Sequence, residues 1–181
     1  MRDPKDVALS LLGKILVRKL NDQILEGKIV ETEAYYGLDD PASRARNGLK
    51  NYNAPMWGMP GLAFIYNVHN NWMLNVVAHK PNCIGAVLIR AIEPLRGIEI
   101  MKANRGLSDI NKLTNGPGRL TKALKIDKKL NLTDLTKIES PIFIINGPAV
   151  HEVGSSHRIG VRRDLDEKLR FYIKDNPFVS K

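Results

Sequence analysis

The sequence predicts an α+β fold: one compact domain over residues 1–181, built on a curved, largely antiparallel sheet with surrounding helices and a protruding β-hairpin. Three observations predict it. Runs of β-branched and apolar residues separated by short polar turns read as paired strands. The helical patterns between them are short and carry their own start and stop signals. No internal repeat, low-complexity tract or linker divides the chain, and 181 residues are enough to bury a hydrophobic core.

In chain order, "RDPKDVALSLLGK" opens with Asp3 as N-cap, Pro4 at the first helical position and Gly13 as a stop. Val7, Leu11 and Leu12 recur at helical spacing, so this is a short amphipathic helix. "KILVRKL", the turn "ND" and "QILEGKIVETEAYYG" then form a β-hairpin. Residues 37–61 are rich in Gly, Pro, Asn and Asp and read as a long loop, the kind of segment that often carries function. "LAFIYNVHNNWMLNVVAH" is two strands around the polar tip "NVHNN", and "CIGAVLIRAIEP" is a further buried strand. Pro94 is expected to open a helix, "PLRGIEIMKANR", and "TNGPGRLTKALKI" is a glycine-containing turn before a short basic helix. "SPIFIING", "HRIGV" and "LRFYIKDNPFV" supply three more strands.

Composition narrows the function classes. There are 28 Lys+Arg against 19 Asp+Glu, a net charge of +9, and a sequence pI near 9.7. A surface of that sign favours a polyanion, because binding phosphates releases their counterions. A single cysteine, Cys83, excludes an internal disulfide framework and fits a reducing compartment. The start "MRDPKDVALS" lacks the apolar stretch of a signal peptide, and no apolar run is long enough to span a membrane. A soluble intracellular protein is the expectation.

Metal and covalent chemistry find little support. His69, His79, His151 and His157 form no ligand-spaced pair, and with one cysteine no zinc set is recognisable, so no metal is expected. There is no G-x-S-x-G elbow, and Cys83 at the start of an apolar strand is expected to be a buried structural thiol. "GPGRLTK" lacks phosphate-loop spacing. It can still offer backbone N–H groups, with Arg119 and Lys122, to one DNA phosphate, or be an ordinary helix-start turn.

The acids of "IVETEAYYG" are more informative. Strand alternation puts Ile29, Glu31, Glu33 and Tyr35 on one face, with the two carboxylates roughly 7 Å apart. Such a pair is a solvated rim, a sugar hydrolase's two acids, or one carboxylate beside a ring that activates water. Arg90, ending "CIGAVLIR", either orients that carboxylate or caps the sheet edge. The hairpin tip "YNVHNNW" is either an exposed turn or a wedge that enters a duplex.

The chain resembles the alkyladenine (3-methyladenine) DNA glycosylases of the non-helix-hairpin-helix type. The likeness rests on "IVETEAYYGLDDPAS", "PGLAFIY", "MLNVV", "GAVLIRAIEPLRG", "TNGPGRLTKALKI", "RIGV" and "LRFYIKDNPFVS", in family order over nearly the whole chain. It implies a monomeric, monofunctional enzyme of base-excision repair, acting in the cytoplasm or nucleoid on double-stranded DNA without metal or cofactor. Such an enzyme flips a damaged purine (3-methyladenine, 7-methylguanine, hypoxanthine or ethenoadenine) and hydrolyses its N-glycosidic bond, leaving an abasic site. By the same resemblance Glu33 is the general base, Arg90 holds the water and the carboxylate, and the carbonyl of Ile159 is a third contact to that water. Tyr35 and Tyr66 are aromatic walls, and Asn75 is the pocket-floor amide that disfavours normal guanine. The resemblance leaves Glu31 a structural or salt-bridging residue.

Two positions depart from the family pattern. Arg44 stands where the family usually has a histidine after "DDPAS", a part of the base pocket. A fixed guanidinium is a poor neighbour for a cationic purine and biases the pocket toward neutral lesions. The hairpin tip is one residue shorter than the family's, and His69 is the nearest match to its wedge tyrosine, with Asn70 or Asn71 as the other residues that the tip can present. The rival class is a DNA-binding module of the same fold whose catalysis is weak or lost because of Arg44.

Overall fold

The first hairpin forms where the residue pattern places it. In the computed structural model, which describes residues 1–180, β1 (Ile15–Leu20) and β2 (Gln23–Tyr35) meet across Asn21–Asp22. Asn21 adopts a left-handed φ of 53°, a conformation that asparagine tolerates. β3 (Ala63–Val68) and β4 (Asn71–Val77) form the second hairpin, and β5 (Ala86–Arg96) joins β4 to the long strand β2. With β6 (Ile142–Ile145), β7 (Val153–Ser156) and β8 (Arg170–Ile173) the sheet has eight strands, and every pairing is antiparallel.

Helices α1 (Pro4–Leu11), α2 (Ile98–Arg105) and α3 (Pro117–Ala123) cover one face of the sheet. There Ala8, Met101 and Leu120 pack with Ile29, Ala34, Val87 and Ile89 in the main core. Alternation turns the neighbours of those strand residues to the opposite face. On that face the segment 37–61 lies over Phe64, Val77 and Ala86, with Ala45 and Met56 closing a second, smaller core.

Several elements differ from the sequence expectation. Pro94 lies inside β5, and α2 starts only after Gly97, whose φ of 75° makes the turn. Proline is tolerated there because β4 pairs with β5 only as far as Leu88, so the strand's other edge is open at Pro94. "HRIGV" is a loop that follows β7, held by side-chain ion pairs instead of a ladder, and only Arg170–Ile173 of the last segment is strand. Cys83 is exposed in the turn before β5. At the second hairpin His69 (φ 46°) and Asn70 (φ 60°) form the two-residue loop, and Asn71 pairs with Val68 as part of β4. α3 braces this hairpin: Thr121 Oγ1 donates to the carbonyl of Trp72 at 2.9 Å, and Gly118 sits so close that a Cβ there would stand 2.8 Å from Asn71 Cβ.

The centre of β2 is where the sheet forks. One edge pairs with β5 along its length, while the other pairs with β1 up to Lys28 and with β8 at Glu31–Glu33. Of three register shifts against β5, the two at Ile29/Glu31 and at Glu31/Thr32 break strict alternation here. Ile29 therefore faces the main core and not the side of Glu31 and Glu33, while Val30 packs against Ala91 and Phe178. The shift at Glu31/Thr32 leaves Arg90 as the extra residue of β5 and aims its guanidinium between the two acids.

Glu31 is fully buried and saturated. Its Oε1 accepts from Arg90 Nε at 2.8 Å, Arg170 Nε at 2.7 Å and Ser180 Oγ at 2.7 Å, and its Oε2 accepts from the Ser180 amide at 2.7 Å. The carboxylate thus ties β2, β5, β8 and the C-terminal segment together. Glu31→Ala strands two buried guanidiniums and should cost about 3–5 kcal/mol, read as a lower midpoint in urea unfolding. Glu31→Gln, which keeps acceptor and shape, should lose less.

Candidate active site

Strand register lines up one row of side chains across the sheet: Phe64 (β3), Asn75 (β4), Leu88 (β5), Glu33 (β2) and Arg170 (β8). Directly paired residues share a face, and on this face Leu88, with Tyr66, Met73, Arg90 and Tyr35, lines one cleft, while the rest of the row lies beneath or beside that lining. The cleft, about 780 Å³, is closed by the 41–47 segment, by Pro117 at the start of α3 and by the 159–163 loop.

Glu33 lies at the bottom with no exposed surface, beneath a lining that includes Tyr35, Leu88, Arg90 and Ile159. Its Oε2 accepts from the Tyr35 hydroxyl at 2.7 Å, and its Oε1 accepts from the Ile159 amide at 2.8 Å, with Arg90 Nη1 at 3.3 Å. Burial, the largest influence, raises the Glu33 carboxyl above the ordinary range, and Glu31 adds to it. Arg90, the Ile159 amide and Tyr35 pull it back only in part. Burial and the nearby Glu33 charge push the Tyr35 hydroxyl well above the usual phenol range, so it stays a proton donor. Both acids being buried, the solvated-rim alternative is out, and the saturated Glu31 leaves Glu33 as the carboxylate with capacity for chemistry.

The aromatic walls carry cations. Arg158 Cζ lies 4.5 Å from the centre of the Tyr35 ring, and Arg44 Cζ lies 4.8 Å from that of Tyr66, whose ring also stacks on Phe64 at 5.0 Å. Asn75 is buried on the cleft face and donates its amide to the carbonyls of Phe64 and Met73. His69 is exposed at the hairpin tip, Arg119 is exposed with Nη1 on Asn115 Oδ1 at 2.8 Å, and Lys122 is exposed one turn on. The structure thus gathers Tyr35, Tyr66, Arg44, Arg90 and Ile159 on the lining of one cleft with Glu33 beneath them, while Asn75, buried with its amide on backbone carbonyls, and His69, Arg119 and Lys122 lie off that lining.

Sequence reasoning missed a second buried cluster. Arg158 is bidentate to Asp40 at 2.6 and 2.7 Å, bonds Asp164 at 2.6 and 2.8 Å, and donates to the carbonyl of Ala34 at 3.0 Å. Asp40 also accepts from the amides of Tyr36 and Ala42. The cluster fixes the loop that brings Ile159 to Glu33. Arg170 and Ser180, partners of Glu31, were missed as well. The one local cue was Asp40 in the turn-forming "DDPAS"; pairing across more than a hundred residues leaves no period to read. Among the described residues, no three His, Cys, Asp or Glu side chains group as a metal site would require, and no helix is long and apolar enough to cross a membrane.

Residues 1–177 match the methylpurine-DNA glycosylase family. A protein of Carboxydothermus hydrogenoformans is 44% identical over 185 residues, spanning 99% of this chain and 95% of its own. Proteins of Chlorobium phaeobacteroides (41% over 184 residues, 99% of this chain and 93% of the relative) and Aeropyrum pernix (40% over 183 residues, 99% and 89%) are similarly close. All three bear the name "Putative 3-methyladenine DNA glycosylase". With likeness over nearly the full length and a buried carboxylate beneath an aromatic-walled cleft, the chain belongs to the methylpurine-DNA glycosylase family of DNA-repair N-glycosylases.

Proposed function

We propose that the whole chain, residues 1–181, acts as one monomeric glycosylase domain on duplex DNA wherever the genome lies, cytoplasm or nucleoid. It draws a damaged purine out of the stack and hydrolyses its N-glycosidic bond with water, leaving an abasic site. The observation that carries this reading is the state of Glu33: a buried carboxylate held by three donors at the floor of a cleft with aromatic walls. A carboxylate offers about four acceptor positions, so one remains for a water. Departure of the purine builds positive charge on the sugar, which Glu33 stabilises while taking the water's proton.

Arg90 holds Glu33 in place, and Tyr35 lends a ring to the flipped base and a hydroxyl to Glu33. Ile159 contributes its N–H to Glu33 in the free protein. The resemblance expects the Ile159 carbonyl at the water, whereas here its N–H reaches Glu33, and the attacking water needs the cover of the fully buried Glu33 to open. Tyr66 and Asn75 complete the wall and floor. His69 fills the gap left by the flipped base, and Arg119 and Lys122 contact the backbone.

The substrate class is alkylated and deaminated purines: 3-methyladenine, 7-methylguanine, hypoxanthine and ethenoadenine. Arg44 against Tyr66 shifts the preference toward the neutral members, and the same contact favours the second reading, a DNA-binding module with weak catalysis. Alkaline cleavage at abasic sites after incubation with lesion-bearing duplexes separates the two.

Glu33→Gln should lower the single-turnover excision rate about 10²–10⁴-fold while duplex affinity persists. Since the raised carboxyl is a base only above its own pKa, wild-type activity should fall toward acid along a limb that lies above the ordinary glutamate range. Residual activity in the glutamine variant should lack that limb. Arg44→His should raise 7-methylguanine excision relative to hypoxanthine by about fivefold, the ratio that roughly 1 kcal/mol of cation–π attraction carries. His69→Ala should weaken binding and flipping on duplex DNA more than on a single strand, measured with the same lesion in both.

A further inference from the structure

The loop that delivers Ile159 to Glu33 carries two further arginines on its outer side. Arg158 and Asp164 close this loop at its base: the Arg158 amide donates to Asp164 Oδ2 at 2.9 Å and Nε to Asp164 Oδ1 at 2.8 Å. Between them Ile159 turns inward to Glu33, Gly160 makes the bend at φ 76°, and Arg162 and Arg163 are exposed on the cleft lining. Neither makes an ion pair or side-chain hydrogen bond among the described residues. Of the nearby carboxylates, Asp164 and Asp40 are committed to Arg158 and Glu167 to Lys5, and Asp166 pairs with neither arginine.

The facing segment is built alike. Asp40 anchors it through the same Arg158, and it presents Arg46, exposed and held on the lining with Nη1 on the carbonyl of Ser43 at 3.0 Å. One buried guanidinium therefore fixes the spacing of two loops whose arginines face the cleft mouth without counter-charge. Arg forks match phosphate oxygens two at a time and hold them at defined geometry.

We infer that Arg162 and Arg163 on one loop and Arg46 on the other form a clamp for phosphodiester groups of the strand that carries the lesion, on either side of the nucleotide entering the cleft. The clamp rests on the proposed action on duplex DNA and adds to it a grip on the damaged strand, separate from the hairpin tip and the start of α3. Electrostatic grip of this kind is read by salt dependence, since each phosphate contact adds about 0.9 to the slope of log affinity against log salt.

The test is the dissociation constant of a duplex bearing a tetrahydrofuran abasic analogue, measured across a sodium chloride series. Arg162→Gln/Arg163→Gln should lower the magnitude of the slope by about two, and Arg46→Gln by about one. Arg162→Lys/Arg163→Lys should restore most of it, because a point charge still meets a phosphate. Lys19→Gln/Lys137→Gln, which removes the same charge at the β1–β6 edge, should leave the slope unchanged. An unchanged slope in the arginine variants, or an equal loss in the lysine pair, overturns the clamp. Failure of the wild-type protein to excise hypoxanthine or 7-methylguanine, with the slope loss still present, would instead overturn the proposed reaction and leave the clamp standing.

Discussion

The site depends on one guanidinium placed between two carboxylates. Arg90 reaches both because a register shift makes it the extra residue of β5, so its side chain points between Glu31 and Glu33 and not straight across the sheet. Burying these charges is costly, and the cost is offset only where every charge is paired and every lone pair met. Glu31 and Arg170 complete the balance: two acids and two guanidiniums, with Ser180 filling the remaining acceptor positions. The arrangement is asymmetric. Arg90 hydrogen-bonds Glu31 through Nε at 2.8 Å and stands 3.3 Å from Glu33, so it bonds one acid and acts on the other through charge. Glu33 keeps the raised carboxyl that burial gives it, and on the proposed reading that makes it a better proton acceptor than an exposed glutamate.

The same economy of charge holds the loops. Arg158 has no exposed side-chain surface and serves Asp40, Asp164 and the carbonyl of Ala34 while lying against the Tyr35 ring. Through it, the end of β2, the 39–47 segment just after it and the 157–164 loop, far away in sequence, keep fixed positions around the cleft. A backbone without ladder pairing needs such an anchor, since loop hydrogen bonds to water do not define a position. Ile159 meets Glu33 because of this anchor, and not because of any strand.

Much of this was legible in the sequence, and the failures share a cause. Hairpins, short helices and the His69–Asn70 tip follow from local signals: period-2 patterns, caps and residues that tolerate positive φ. Pro94 and "HRIGV" misled because local propensity was overridden by sheet context: an open strand edge accepted the proline, and an ion cluster replaced the ladder. Ile29 was placed on the wrong face because period-2 logic has no term for a bulge, although it did put Glu33 and Tyr35 together. Of the site, the carboxylate, its arginine and the aromatic walls could be named in advance. Asp40, Arg158, Asp164, Arg170 and Ser180 could not, since long-range ion pairs leave no periodic trace.

On the proposed reading, the distribution of cations bears on which purines the cleft would accept. A positively charged base is drawn to aromatic rings whose negative faces are free. Here Tyr35 carries Arg158, which is fully buried and lies off the cleft lining, whereas Arg44 stands on the lining against the Tyr66 ring. Arg158 is neutralised by its two aspartates, whereas Arg44 is half-buried and has no carboxylate partner among the described residues. The uncompensated charge therefore sits on the cleft wall at Arg44. A neutral purine can stack on that plane and offer its acceptor edge to the remaining N–H groups. A methylated cation brings a second positive charge into a cavity that Glu33 alone can balance, and ionised Glu33 is already shared with Arg90.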